Sequence, residues 1–135
     1  MSGNINRYLI NTLKPVTGKN IWPLICPYEN KPDKYIIFIV EYDAPGDHGD
    51  NSEYGWLHFV SVLFFKRSSS KNKPANIINE RSEIRRRLIE AGFSVTRIQY
   101  FHDTEAGYSQ LEFSVNIPEE DTEEVSQDEN GSNGI

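Results

Sequence analysis

The sequence predicts an α+β domain in which an antiparallel or mixed β-sheet of about four strands packs with two helices. Two segments, 35–43 and 56–66, are dense in β-branched and aromatic residues, which favour strands. Two others repeat apolar residues at intervals of three and four positions, the spacing of an amphipathic helix. The length of 135 residues predicts one domain, assigned to 1–117, followed by a tail at 118–135.

The first predicted helix lies near the N-terminus, where Ile5, Leu9 and Leu13 fall on one face. Pro15 is expected to end this helix, because the residue before a proline is pushed away from helical dihedral angles. A proline-rich stretch follows, and within it only a short extended segment near 21–25 is expected.

The segments 35–43 and 56–66 are predicted to form two strands paired as an antiparallel hairpin. The loop between them is long, polar and acidic, which suits a connection at the surface. Along 56–66, the two sets of alternating side chains are both mostly apolar. Both faces of that strand are therefore expected to be covered, by other parts of the chain or by another subunit.

The second predicted helix starts at Pro74, a residue suited to a first helical turn because the missing N–H costs nothing there. Ile84 and Leu88 lie on its apolar face. Gly92 stands where a left-handed cap is needed, and Phe93 can fold back onto the last turn. The helix is therefore expected to end at Gly92.

Two further strands, at 93–101 and 108–117, are predicted to form a hairpin across the turn HDTEAG. In the second of them, apolar and polar residues alternate from Leu111 to Ile117. Such alternation predicts one buried face and one face in water.

Negative charge is concentrated in the tail. Residues 118–135 carry seven of the 20 acidic residues and no Lys or Arg, whereas residues 1–117 hold the other 13 together with all 14 basic residues. The seven negative charges of the tail, set against one net positive charge in the body, give the overall −6. An acidic segment without aromatic residues cannot bury enough apolar surface to fold, so we expect a disordered tail whose deletion leaves thermal unfolding nearly unchanged.

The composition of the body argues against several classes of protein. A near-neutral body does not suit a dedicated nucleic-acid binder, which carries a basic surface. The single cysteine allows no intramolecular disulfide, which fits a reducing compartment. The N-terminus does not have the pattern of a signal peptide, and the longest apolar run, 35–40, is too short to cross a bilayer. We expect a protein that makes no contact with a membrane.

The polar loop after the first long strand is the best candidate for a metal site. Clustered carboxylates suit calcium or magnesium, and this loop contains Asp43, Asp47, His48, Asp50 and Glu53. Their spacing matches no EF-hand pattern, so a solvated loop is the favoured interpretation. No metal or other cofactor is predicted.

Catalysis has little support in the sequence. Phosphate-binding glycine motifs, a nucleophile elbow and an HExxH zinc motif are all missing. Cys26 could in principle pair with a histidine, but no spacing to His48, His58 or His102 indicates an activated nucleophile. Cys26 is predicted to be a small buried residue and His58 a core or interface residue. The protein is therefore predicted not to be an enzyme.

Charged and polar residues on the second helix and in two turns are the candidates for contact with another subunit or a partner. They are Arg81, Arg85, Arg86 and Arg87 on the helix, His102, Asp103, Glu105 and Tyr108 around the last turn, and Asp47, His48 and Asp50 in the acidic loop. The alternative for the arginines is a solvated helix face on which Glu83 and Glu90 act as counter-charges. Arginine is enriched at interfaces, which keeps the contact hypothesis open.

The order of these segments resembles the tail-completion proteins of long-tailed bacteriophages and prophages of Gram-positive bacteria, also called tail terminators or head-to-tail joining proteins. The likeness covers about 5–117. It includes the N-terminal amphipathic helix and the segments YIIFIVEY, GDHGDN, LHFVSVLFF, EIRRRLIEAGF and RIQYFHDTEAGYSQLEFSV. The pair L-x-x-A-G-F and D-T-E-x-G-Y-x-x-x-x-F is its most specific part, and the acidic tail takes no part in it.

This resemblance implies a non-enzymatic role in the virion. Six copies would close into a ring on the tail tube, end its elongation and form the surface that meets the head connector. DNA would pass through the ring without sequence-specific binding, and the partners would be the tail-tube protein, the connector and other copies. A neck or head-completion protein of the connector and a small protein-binding module that uses the arginine patch are the alternatives.

Overall fold

A computed structural model describes residues 2–45 and 55–122 of the chain. In these ranges two main helices and five strands follow one another: α1 (Ser2–Thr17), β1 (Ile21–Pro23), β2 (Lys34–Pro45), β3 (Trp56–Arg67), α2 (Ile78–Glu90), β4 (Ser94–Asp103) and β5 (Tyr108–Pro118). A short helical segment at 119–122 follows β5. The predicted α+β class is confirmed, and its strands form one mixed sheet.

The strands of this sheet lie in the order β1-β2-β3-β5-β4. β1 runs parallel to β2, and every other neighbouring pair is antiparallel. The predicted hairpins β2–β3 and β4–β5 are confirmed. β5 lies between β3 and β4, so the last strand of the described residues is internal and β4 is an edge.

Both helices pack on one face of the sheet, which we call the helix face. The core there is a single cluster of buried apolar side chains: Ile5, Leu9 and Leu13 of α1, Ile84 and Leu88 of α2, and residues of β1, β2, β3 and β5 that include Ile21, Phe38, Phe64 and Phe113. Burying each large side chain contributes about 1.5–3 kcal/mol, so this cluster carries most of the stability. The predicted alternation of β5 is confirmed, because Leu111, Phe113, Val115 and Ile117 are all buried.

The end of α1 differs from the prediction. The helix runs through Pro15 to Thr17 instead of ending before the proline. Gly18, with φ +63°, forms a left-handed cap and donates its N–H to the carbonyl of Lys14 at 2.6 Å. The extra turn also lets Val16 pack against the core. Packing and a glycine cap therefore outweigh the local effect of the proline.

The start of α2 is also later than predicted. Pro74 lies outside the helix, which begins at Ile78. The preceding residues are held by the sheet, since the N–H of Ala75 donates to Ser109 Oγ at 2.8 Å and the carbonyl of Asn76 accepts from Lys66 Nζ at 2.8 Å. These bonds compete with a helical turn at 74–77.

The cap at the end of α2 is confirmed. Gly92 has φ +102°, and the N–H of Phe93 donates to the carbonyl of Leu88 at 2.9 Å. The N–H of Gly92 donates to the carbonyl of Ile89 at 3.0 Å, which completes a Schellman motif. Phe93 is buried, as expected of a residue that folds back onto the helix.

The prediction that disorder begins at residue 118 is wrong for its first five residues. Pro118 belongs to β5 and pairs with Leu57, and 119–122 is helical. Thr122 is completely buried, and its hydroxyl donates to the carbonyl of Glu119 at 2.8 Å. Asp121 lies close enough to Tyr8 to add to the effect of burial, which raises the pKa of that phenol. The remaining tail, 123–135, is outside the described residues.

The opposite face of the sheet, which we call the open face, carries neither α1 nor α2. For the 56–66 strand, the predicted cover by the chain itself is confirmed on the helix face, and cover of the open face by another subunit stays a prediction. On the open face Phe59, Leu63 and Phe65 are only partly buried. The chain covers one end of this face, where Cys26, Tyr35 and Tyr108 form a small second cluster. The sequence pattern identified the apolar side chains of this strand, but it did not indicate on which face of the strand the helices pack.

Alkaline pH is expected to destabilise the protein through this second cluster. Burial raises the pKa of Tyr35 to about 12 from 10.0, with smaller contributions from Tyr108 and Cys26 and an opposing effect of Arg67. Because the folded pKa is raised, the folded state keeps a proton that the unfolded state loses above pH 10. The stabilising contribution is complete below pH 10 and disappears as the pH approaches 12.

Denaturant unfolding at several pH values in this window measures the effect. Tyr35→Phe is expected to make the free energy of unfolding less dependent on pH. Tyr42→Phe is the matched control, because both tyrosines stack on a phenylalanine at 4.6 Å but Tyr42 is exposed. Equal pH dependence in the wild type and Tyr35→Phe would contradict this prediction.

Candidate assembly surfaces

Exposed apolar residues next to β1 form a first surface, which we call the β1-edge patch. It consists of Leu24, Ile25 and Tyr28, of which Ile25 is 70% exposed. Leu24 has φ +72°, and the N–H of Ile25 donates to the carbonyl of Pro23 at 2.8 Å. This is a γ-turn of the rare, strained kind, which costs on the order of 1–3 kcal/mol. The strain projects two apolar side chains into solvent.

The strained turn is fixed to the sheet. The N–H of Leu24 donates to the carbonyl of Phe38 at 2.9 Å, so the chain continues to bond to β2 after β1 ends. Trp22 packs edge-on against Tyr28 at 5.5 Å between ring centroids. Strain held in place beside exposed apolar residues is typical of a functional surface. Sequence reasoning missed this patch, because nothing in a Leu-Ile pair signals a positive φ.

A second apolar surface lies at the other edge of the sheet, and we call it the β4-edge patch. Its exposed members are Ile78 of α2 and Tyr100 and Phe101 of β4, of which Phe101 is 60% exposed. Together with Pro74 and Ile77 they line a groove of about 430 Å³. Within the described residues β4 pairs with β5 alone. The backbone N–H and C=O groups on its other side therefore have no partner strand there.

The four arginines of α2 divide into two pairs. Arg86 and Arg87 form i,i+4 ion pairs with Glu90 at 3.2 Å and Glu83 at 3.1 Å, as the solvated-face alternative expected. Arg81 instead donates to the hydroxyl of Tyr100 and lies over its ring, 6.0 Å from the centroid.

Arg81 and Arg85 have no carboxylate partner in the part of the chain that the structure describes. The third acidic residue of α2, Glu80, forms ion pairs with Lys66 at 2.9 Å and Lys34 at 3.8 Å. Arg81 and Arg85 line a groove with Ser82, Ile98 and Tyr100, between α2 and β4. We call it the arginine groove.

The polar residues of the β4–β5 turn have intramolecular bonds. Asp103 Oδ1 accepts the N–H groups of Glu105 at 2.9 Å and Ala106 at 3.1 Å, which shapes the turn. The two ring nitrogens of His102 lie 3.0 Å from Ser109 Oγ and 2.7 Å from the carbonyl oxygen of Lys71. Glu105 is exposed at the tip. A role of these residues in subunit contact stays a prediction.

The structure corrects the prediction that Tyr108 contacts a neighbouring subunit. Tyr108 is buried in the second cluster, and its hydroxyl donates to the carbonyl of Pro32 at 2.7 Å. The guanidinium of Arg67 lies 4.9 Å from its ring centroid. The phenol therefore fixes the loop before β2 and offers no surface to a partner.

The acidic loop gives no described site. Asp47, His48, Asp50 and Glu53 lie outside the described residues. Within 2–45 and 55–122, no three His, Cys, Asp or Glu residues cluster so as to hold a metal ion.

Cys26 and His58 are both buried, as predicted, but on opposite faces of the sheet. Cys26 belongs to the second cluster, whereas His58 shares the helix face with Val60. His58 Nδ1 lies 2.7 Å from Asp43 Oδ1, and its buried Nε2 has no partner among the described residues. The sheet separates this histidine from the thiol.

The open face contributes a further groove that the sequence did not indicate. It has a volume of about 530 Å³ and is lined by Tyr42, Phe59, Arg97 and Glu112 among others. Tyr42 stacks on Phe59 with ring centroids 4.6 Å apart. The lining comes from four strands, so it could be found only once the strand order was known.

Comparison of the sequence with protein-family models and with curated proteins finds no match. In the described ranges, no helix has both the length and the apolar character needed to cross a membrane.

Proposed function

We propose that this protein is a structural assembly subunit whose copies associate head-to-tail into a ring, and that the ring caps a bacteriophage tail tube. One observation carries the proposal: two different exposed apolar patches lie at opposite edges of one sheet. A head-to-tail interface needs two such unlike surfaces, since each subunit offers one to each neighbour. A ring results when the rotation between neighbours closes.

The shapes of the patches suit each other. The β1-edge patch projects Leu24 and Ile25 from a strained turn, and the β4-edge patch is a groove beside Phe101. Exposed apolar surface rimmed by polar residues is typical of protein interaction sites. An apolar projection can insert into an apolar groove, whereas two projections cannot insert into each other.

The resemblance of 5–117 to tail-completion proteins supports a phage tail as the setting. In this proposal the ring has six copies, ends elongation of the tube and joins the head connector in the virion. The near balance of charge in 1–117 suits a lumen through which DNA moves without being held, because phosphate binding needs a basic surface.

Mixing two variants in solution tests the head-to-tail interface. Ile25→Glu disables the β1-edge patch and Phe101→Glu disables the β4-edge patch. Each variant alone is expected to have a dissociation constant at least tenfold higher than the wild type, which corresponds to about 1.4 kcal/mol of association free energy. An equal mixture is expected to form a heterodimer, since one intact pair of patches remains. Sedimentation velocity over a concentration series measures both results.

Ile89→Glu is the control, because Ile89 is 43% exposed on α2 and lines neither patch. It should associate like the wild type. Homodimers of either single variant would indicate a symmetric interface and contradict the head-to-tail arrangement.

Removal of the gene from the phage genome tests the setting. Loss of a terminator is expected to give tails of abnormal length that carry no heads in electron micrographs. Tails of normal length that lack heads would instead favour a neck or head-completion protein. Normal, fully assembled virions would overturn the phage-tail assignment.

A further inference from the structure

The arginine groove is a cationic site whose counter-charge is missing from the described structure. Arg81 and Arg85 are four residues apart on α2, so their like charges repel each other. Each acid of α2 is already paired with another cation. The guanidinium groups of Arg81 and Arg85 are therefore available to an anionic group from elsewhere.

The chain itself contains a segment with matching charge. Residues 123–135 hold Glu123, Glu124, Asp128 and Glu129 and no Lys or Arg. We propose that the acidic segment 123–129 docks into the arginine groove of the same subunit, with its carboxylates on Arg81 and Arg85. This inference concerns a single subunit and goes beyond the proposed ring.

The starting point of the tail supports docking within one subunit. Thr122, its last described neighbour, is completely buried, and Asp121 Oδ2 lies 3.5 Å from where a Cβ of Gly92 would be. The tail thus leaves the domain beside the end of α2. Arg85 lies five residues before the last residue of the helix, or about 8 Å along its axis at 1.5 Å per residue.

The reach of the tail is ample. Seven residues, 123–129, span up to about 23 Å when extended, at about 3.3 Å per residue. Arg81 lies nine residues from the end of α2, or about 14 Å along the axis. A short tether also gives the segment an effective concentration in the millimolar range, which favours its own groove over that of another copy.

The side chains of the groove suit carboxylates. Arginine presents a planar fork that accepts a carboxylate in a bidentate manner. The hydroxyl of Tyr100 already holds Arg81 in place, which lowers the entropy that docking would cost. Arg85 is exposed and has no bond within the described residues, so it can move to meet the segment. Docking would also neutralise the cations beside the β4 edge.

Paramagnetic relaxation in the full chain tests the contact. A spin label is placed at Ser126→Cys in a Cys26→Ala background, and relaxation of the backbone amides is measured at low salt. The amides of 81–85 and 98–100 are expected to relax several-fold faster than in the diamagnetic sample. In 1 M salt, where the Debye length is about 3 Å, the effect should largely disappear.

Two arginine variants distinguish binding of the tail in the arginine groove from its non-specific electrostatic attraction to the domain. The side chain of Arg85 makes no hydrogen bond or ion pair within the described residues. Arg85→Gln is therefore expected to remove most of the paramagnetic enhancement of amide relaxation without affecting folding. Arg86→Gln removes the same charge from the neighbouring position, which is paired with Glu90, and should retain the enhancement. Equal losses in both variants, or no enhancement at low salt, would overturn the proposal.

A mixed sample separates docking within one subunit from docking between subunits. Isotope-labelled protein without a spin label is combined with spin-labelled protein of natural isotope content. No enhancement is expected in this mixture. Enhancement of equal size would show that the segment occupies a neighbouring copy and would overturn docking within the subunit.

Discussion

Phe113→Ala is expected to lower the free energy of unfolding by about 3–5 kcal/mol. Phe113 is fully buried at the centre of β5 and pairs with Val62 of β3 on one side and Ile98 of β4 on the other. Truncation would leave a cavity in the only large core among the described residues, and the neighbouring strands can collapse only partly. Domains of this size have total stabilities of about 5–15 kcal/mol, so the loss is a large fraction.

Urea unfolding measures this effect as a lower midpoint with an unchanged slope. Phe101→Ala is the matched control, because it removes the same atoms from the neighbouring strand at a side chain that is 60% exposed. We expect it to cost less than about 1 kcal/mol. Comparable losses for the two variants would show that the described packing of Phe113 is wrong.

Truncation after Ile117 is expected to destabilise the domain by roughly 2–3 kcal/mol, whereas truncation after Thr122 is expected to change stability by less than about 0.5 kcal/mol. The shorter chain loses Pro118, which pairs with Leu57, and the buried Thr122. It also removes Asp121, whose carboxylate lies beside Gly92 at the end of α2.

Thermal unfolding of the two truncated chains and the full chain measures this difference. For a domain of about 100 residues, each kcal/mol shifts the melting temperature by roughly 4–8 °C, which predicts a loss of about 10 °C or more. The chain that ends at Thr122 is the control for loss of the acidic residues beyond it. Identical melting of all three chains would restore the tail boundary at 118.

Those parts of the fold that depend on local pattern could be predicted from the sequence. The alternation of β5 and the glycine cap at Gly92 were readable because each depends on residues close in sequence. The start of α2 was not, because Ala75 and Asn76 bond to distant strands. The parallel pairing of β1 with β2 likewise depends on contacts that leave no local pattern.

The surfaces were less predictable than the fold. The arginines of α2 were identified, but their division into paired and unpaired residues depends on which carboxylates and which edge of β4 lie nearby. Tyr108 looked like a turn residue, yet strand register places it beneath the loop before β2. The β1-edge patch depends on the positive φ of Leu24, which no spacing rule predicts.

The internal position of β5, between two strands made before it, has a consequence for synthesis of the protein. About 40 residues separate the end of β3 from the start of β5, which is roughly 2–8 s of translation at 5–20 residues per second. Until β5 leaves the ribosome, β3 has a free edge and β4 has no partner strand. This apolar edge is a hazard for aggregation while the chain is nascent, and slow translation through α2 and β4 would prolong it.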